Sequence, residues 1–374
     1  MNTAPMDFDA MVGQRIRLAR EQESLTQQAL ADRLQFKDRQ TLAQIETGSR
    51  KVTLEELNSF VDVLGKPYDY FTDPYLIVGK SLFNWRAANE DEAAVAEQAA
   101  RPLLACYKRC RGILGESTYP FAQVLNIART SPYSVAADLG DNVASVWQLG
   151  ATPAAELPKV VEDKLHLLLL YMDLPGGVSG GACRLTEFST VIVNRGHAKC
   201  RRAFTLAHEL FHLLTWDAMT PERRESPDYT FGMKSPHIER LADNFAAGLL
   251  MPRNSLEPRW KAFQGGDIHA WLTTTAAEYE VSTTALFWRL VNSRLMSQRQ
   301  AEKVDRNRLG ERAAPQREDA AKPKLYSRAF AEKLHAAIDK GFISVRKTAE
   351  LLQCNIEDVG SLFDAYNMEP LFDL

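Results

Sequence analysis

The chain has 374 residues, of which 45% are hydrophobic and 25% charged, with a formal net charge of −3. Single hydrophobic cores stop growing at about 250 to 300 residues, so two or three domains are expected. The composition excludes a disordered or fibrous chain, and the slightly acidic balance excludes a global basic field, so any contact with nucleic acid must be local.

In chain order, the opening MNTAPMDFDA lacks the basic region and apolar run of a signal peptide. No later stretch reaches the roughly 18 apolar residues that span a bilayer, and the expectation is a cytoplasmic protein without membrane contact. Residues 8–71 read as a run of short helices with breaks at Ser24, Gln35 to Lys37, Gly48 to Lys51 and Gly65 to Pro67. Residues 72–115 read as a helical connector, since AANEDEAAVAEQAARPLLACYKRCRGILG combines alanine and glutamate with helical apolar spacing. From 116 to 300 a larger domain is expected. LHLLLLYM (165–172) and TVIVN (190–194) have strand character, and the glycines of PGGVSGGA between them suit turns. A helix over FTLAHELFHLL (204–214) follows. After a polar segment over 217–235, SPHIERLADNFAAGLLMP predicts a helix with Ser235 as N-cap, Pro236 in its first turn and Pro252 as its stop. Further helices are expected near 267–279 and 283–297. Residues 301–325 are charged and poor in large apolar groups, as a linker is, and 326–374 recover helical periodicity with a helix, turn, helix rhythm. The fold class expected is mainly α, of the α+β kind: a five-helix N-terminal domain, a central domain with a small sheet, and a helical C-terminal region.

The five cysteines (Cys106, Cys110, Cys183, Cys200, Cys354) are scattered and odd in number, which points to free thiols rather than a disulfide framework.

Two constellations carry chemistry. On a helix, positions i and i+4 lie about 40° apart in projection and one turn apart in height, so His208 and His212 can present imidazoles to one ion. Glu209 sits beside them, placed to take a proton from water at a catalytic metal. A third ligand must come from elsewhere. Glu239 on the next helix is the choice, with Asp243 four residues on as hydrogen-bond partner of a ligand histidine and His237 as the rival ligand. The bland alternative is a pair of hydrogen-bonded histidines on a core helix with Glu209 pointing to solvent. Burying two imidazoles and a carboxylate among Phe204, Leu206, Ala207, Leu210 and Leu214 without a compensating partner would cost several kcal/mol, on the order expected for unpaired polar groups. His166, His269 and His335 have no such companions and read as ordinary histidines; His197 is left undecided.

VSGGACRLTEFSTVIVNRGHAKCRRAFTLAHELFHLLTW followed by IERLADNFAAGLLMP resembles the ImmA/IrrE family of zinc metallopeptidases, over residues 160 to 297. The resemblance implies His208, His212 and Glu239 as metal ligands and Glu209 as general base. It also implies Zn2+ as the metal and a protein substrate, a helix-turn-helix repressor cut in stress response or in control of mobile elements and phage; ligand type itself favours zinc, with Mn2+ as the alternative because availability also decides occupancy.

The second constellation is N-terminal. LTQQALADRL (25–34) with FKDRQTLAQIETGSRKVTLEELNSFVDVLGKPYDYF resembles the XRE, or Cro/C1-type, helix-turn-helix family, over residues 8–71. Thr26 is expected to cap the second helix and Gln27 to face the phosphate backbone. Arg39, Gln40, Thr41 and Gln44 are the expected base readers of the third helix, with Arg50 and Lys51 holding phosphates. One residue more than the commonest family spacing separates Leu34 from Glu46. From Lys37 to Lys51 four basic residues face two acidic ones, a local net of +2. Operator binding implies a homodimer, because one such module contacts only a half-site. The connector FNWRAANEDEAAVAEQAARPLLACYKRCRGILG is similar to that of proteins fusing these two domains, and the C-terminal fifty residues to small helical tails of the same group. The expected function is therefore a DNA-binding regulator with a peptidase that cuts a repressor or its own chain. The alternatives are a zinc-containing transcription factor or sensor without turnover, and a toxin-antitoxin or antiphage component.

Overall fold

The computed structural model describes residues 8–78, 82–116, 123–220, 224–225, 236–310 and 322–371. The chain divides into two compact units, one of residues 1–81, 97–118 and 330–374, the other of 82–96 and 119–329.

The first unit opens with five helices: α1 (Phe8–Gln22), α2 (Gln27–Arg33), α3 (Arg39–Glu46), α4 (Leu54–Leu64) and α5 (Tyr68–Thr72). The starts of α2, α3 and α4 are set by side chains that satisfy backbone N–H groups the helix cannot. Thr26 accepts from the Ala29 amide and Asp38 from that of Thr41, while Thr53 and Glu56 form a reciprocal capping box. Ile16, Ala19, Leu30, Leu42, Ile45, Phe60 and Phe71 interlock as a fully buried core. In the turn between α2 and α3, Gln35 takes a left-handed conformation (φ 55°), and the Phe36 ring packs edge-on against Phe60 at 5.9 Å.

The connector is not wholly helical. Its LFNWRA segment forms β1 (Leu82–Ala87), and only then does α6 (Glu90–Ile113) begin. The sheet of the second unit claims β1 because the period-2 alternation of Phe83, Trp85 and Ala87 with Asn84 and Arg86 lets one strand bury both faces. Before the remaining strands come α7 (Tyr133–Val146) and α8 (Pro153–Asp163). Then follow β2 (Leu168–Met172), β3 (Val178–Arg184) and β4 (Ser189–Asn194), the long helix α9 (Lys199–Thr215) and the two-residue β5 (Arg224–Glu225). The sheet order is β2-β4-β3-β1-β5, with β3 antiparallel to β4 and to β1, β2 parallel to β4, and β5 parallel to β1.

Of the glycines read as a turn, Gly180 and Gly181 lie inside β3. A Cβ on Gly180 would stand 2.4 Å from the Ile192 carbonyl oxygen and 2.7 Å from Thr205 of α9, and one on Gly181 would meet the Trp85 ring at 2.7 Å. Close approach of neighbouring backbone and rings, not turn geometry, requires glycine there.

The second unit continues with α10 (His237–Leu250), α11 (Arg253–Ala262), α12 (Ile268–Glu278), α13 (Thr283–Asn292) and α14 (Gln298–Ala301). The expected N-cap Ser235, and most of the 217–235 segment read as polar, lie outside the described residues. The residue preceding the first turn of α10 is Pro236. The helix expected over 283–297 ends at Asn292, and Ser297 starts α14 with its own capping box. Within the 301–325 stretch expected as a linker, residues 306–310 make a 3-10 turn with Leu309 buried, and just beyond that stretch Tyr326 exchanges two backbone hydrogen bonds with Tyr171 of β2. α7 and α10 pack at glycine distance, since a Cβ on Gly248 would fall 2.2 Å from the Ala137 carbonyl oxygen. The corner after α10 is fixed by Arg289, which donates to the Met251 carbonyl and pairs with Asp141.

The chain ends with α15 (Arg328–Asp339), α16 (Val345–Leu352) and α17 (Ile356–Ala365). Residues 330–374 fall in the first compact unit, within which Phe330 stacks on Tyr107 at 6.0 Å. The protein is mainly helical with one small sheet, and no helix among the described residues is long and apolar enough to cross a membrane.

Candidate metal centre and nucleic-acid interface

α9 buries every residue from Thr205 to Thr215. Leu206, Ala207, Leu210, Phe211 and Leu214 join the main core, and between them His208, Glu209 and His212 are fully buried as well. The helix start is held by arginines: Arg201 donates to the Ser179 hydroxyl at 2.9 Å, and Arg202 to the His197 carbonyl. α10 then brings Glu239 in its first turn and Asp243 one turn later onto the face that packs on α9.

The His208 and His212 Nε2 atoms lie 3.1 Å apart. Glu239 places one carboxylate oxygen 3.3 Å from His208 Nε2 and the other 3.7 Å from His212 Nε2. His208 Nδ1 donates to Asp243 Oδ1 at 2.8 Å, which leaves Nε2 as the electron-pair donor. The donor atoms of His208, His212 and Glu239 all fall within 4.8 Å of one another.

A tetrahedral zinc with bonds of about 2.0 to 2.1 Å holds its donors about 3.3 Å apart, and the separations of 3.1 to 3.7 Å here bracket that value. Charge points the same way. Glu209, Glu239 and Asp243 are three buried carboxylates, and buried Arg86, with Nη2 3.7 Å from Asp243 Oδ1, supplies one positive charge. Among these side chains the deficit is two charges, which a divalent cation matches. The donor set, two imidazole nitrogens and a carboxylate oxygen, fits zinc.

His237 does not join the three donors: its Nε2 lies 2.9 Å from the Ser131 carbonyl oxygen, and its ring is 4.6 Å from that of Tyr133. His197 approaches the Gly176 carbonyl at 3.3 Å; burial first, then Arg201 and Arg202, hold its pKa below the usual imidazole value. His269 accepts from the Asp305 amide and His335 meets the Glu369 carbonyl. All five cysteines are free thiols.

In the N-terminal domain, α3 buries Leu42, Ile45 and Glu46 and leaves Arg39, Gln40 and Gln44 exposed. Three of the expected contact residues have prior engagements. Gln27 donates its side-chain amide to Glu46 at 2.8 Å, inside a buried pair in which Arg20 reaches Glu46 at 2.6 and 3.0 Å. Thr41 bonds the cap residue Asp38 through both its amide and its hydroxyl. Arg50 is forked onto Glu56 at 2.7 and 3.1 Å, while Lys51 is 86% exposed. The Arg20–Glu46 pair joins residues 26 apart and has no local sign in the sequence.

Residues 162–291 match the model of the M78 peptidase family, described as the IrrE N-terminal-like domain, and residues 16–71 match a helix-turn-helix family. The chain is a fusion of a DNA-binding helix-turn-helix domain with a domain of a metallopeptidase family. Among solved structures, the apo form of the competence regulator ComR from Streptococcus vestibularis is 11% identical, covering 97% of this chain and 100% of that one. Its TM-score of 0.17 carries no argument about fold or function. No curated protein matches the chain.

Proposed function

We propose that the protein is a DNA-seated zinc peptidase that regulates transcription in the cytoplasm. The helix-turn-helix domain, acting as a homodimer, holds it at an operator. The peptidase domain cuts a helix-turn-helix repressor, or a segment of its own chain, in stress response or in control of mobile elements.

The observation that supports this reading is the convergence of two imidazole nitrogens and a carboxylate oxygen within 4.8 Å, beside buried Glu209. His208, His212 and Glu239 would hold the zinc, with manganese as the alternative occupant. A zinc ion held by these three residues would lower the pKa of a bound water to about 7 and polarise a peptide carbonyl. Glu209 takes the proton of the water that attacks the carbonyl carbon. The same carboxylate passes it to the amide nitrogen as the C–N bond breaks, so the fragments leave as an acid and an amine. Asp243 keeps His208 in the tautomer whose Nε2 donates an electron pair.

The test compares wild type with Glu209→Gln against helix-turn-helix repressors, following zinc content, operator binding and fragments by mass spectrometry. The variant keeps about one zinc per chain and its operator affinity, and loses cleavage by a factor on the order of 10² to 10⁴. Undiminished fragments would remove Glu209 from its role. Absence of fragments from zinc-loaded wild type would turn the domain into a metal-holding sensor.

A further inference from the structure

The segment that completes the surroundings of the metal centre comes from outside the peptidase match. β1 precedes residue 162 by some eighty positions and follows the helix-turn-helix match, yet it is hydrogen-bonded between β3 and β5 in the sheet. Along β1 the side chains alternate. Trp85 is paired with Gly181 and packs on that residue's face, whereas Arg86 is paired with Gly180, whose missing side chain would run into Thr205 of α9. Arg86 therefore rises on the α9 side of the sheet. The pairing with β3 slips immediately after it, between Arg86 and Ala87, so the strand is irregular at the point where the arginine leaves it.

Arg86 is 7% exposed and its Nη2 is 3.7 Å from Asp243 Oδ1. That same oxygen accepts the 2.8 Å hydrogen bond from His208 Nδ1. One carboxylate oxygen is thus shared between a histidine of the donor set and a guanidinium delivered by the sheet. A buried carboxylate without a counter-charge is strongly unfavourable, and one free to rotate would not hold an imidazole plane.

We propose that Arg86 is a positioning residue for the metal centre: it fixes the Asp243 carboxylate, and through it the His208 ring. The proposal rests on the metal reading of His208, His212 and Glu239. It makes the strand between the two matched domains a working part of the peptidase domain rather than a spacer. Arginine suits the place because its weakly hydrated guanidinium stays charged when buried, where the strongly hydrated ammonium of lysine readily loses its proton.

The test measures zinc affinity in the full chain by competition with a chromophoric chelator, for wild type, Arg86→Met, Arg86→Lys, Asp243→Asn and the double variant Arg86→Met with Asp243→Asn. Circular dichroism melts of the metal-free proteins establish that each is folded at the assay temperature. Arg86→Met is expected to weaken zinc binding about tenfold and Asp243→Asn by about 10- to 100-fold, the range for partners of metal ligands. Because Arg86 acts through Asp243, the double variant should bind zinc within about twofold of Asp243→Asn alone. Arg86→Lys should fall between wild type and Arg86→Met. Affinity unchanged in folded Arg86→Met overturns the proposal, as does a double variant whose losses multiply. Should Arg86→Met not fold, Arg86→Lys decides: affinity equal to wild type overturns the proposal, and a loss supports it. If wild type itself binds no zinc, the metal reading fails first, and that outcome is separate from the others.

Discussion

The helix proposed to read DNA and the helix proposed to hold metal are built in opposite ways. α3 keeps three residues inside, Leu42, Ile45 and Glu46, and turns Arg39, Gln40 and Gln44 to solvent. α9 encloses its working residues in the core, so that His208 and His212 are fixed before any ligand arrives. The difference follows from what each is proposed to bind. A small cation needs several donors at one point and shelter from water, which only packing can provide, whereas a duplex is met by a surface whose side chains order on contact.

The widest separation between the two regions is expected from His208→Ala. Removing one of three donors should reduce zinc affinity by more than about 100-fold, since even partners of ligands are worth 10- to 100-fold. Operator affinity, read by fluorescence anisotropy on the same preparation, should stay unchanged. A matching loss of operator binding would show that the metal centre and the reading helix are not independent.

A second break goes the other way. Arg20 holds buried Glu46 through two hydrogen bonds and the Leu25 carbonyl through a third. Arg20→Met leaves Glu46 as a buried charge without its arginine, which costs about 3 to 5 kcal/mol. The N-terminal domain should lose most of its stability in hydrogen exchange, and operator binding with it, while zinc content of the chain holds. Slow exchange in α1 and α3 of the variant would mean that the pair is replaceable.

The same contrast decides how much could be read from the sequence. The helix-turn-helix and peptidase matches fall where the motifs placed them, because caps, turn glycines and the i, i+4 histidines are local patterns. The partner of His208 could be named from one helix because Asp243 lies one turn beyond Glu239. Arg86 could not, since a single strand of six residues inside an alanine-rich stretch has no local sign of which sheet will take it. Gly180 and Gly181 misled for a related reason: glycine marks both turns and places where another backbone comes close, and only the neighbours tell which. The helices α7 and α8 passed unread because they carry packing rather than chemistry, although Gly140 of α7 is what allows α10 to come so near. On the DNA side, the residue types were visible but their engagements were not, as Gln27, Thr41 and Arg50 show.

The smallest effect expected lies in those exposed side chains, where Arg39 and Lys51 can be set against each other. Lys51 is 86% exposed and 3.6 Å from Asp9, a surface pair that contributes less than about 1 kcal/mol to folding. Lys51→Ala should therefore leave the melting temperature unchanged, weaken binding to all duplexes alike, and lower the slope of log affinity against log salt by about one unit, the signature of one lost phosphate contact. Arg39→Ala, in the first turn of α3, should instead cost about 1 to 3 kcal/mol on the operator and little on unrelated DNA. If the two variants shift specific and unspecific binding equally, α3 grips the backbone without reading bases, and the selectivity of this domain comes from DNA shape rather than from the exposed face of the helix.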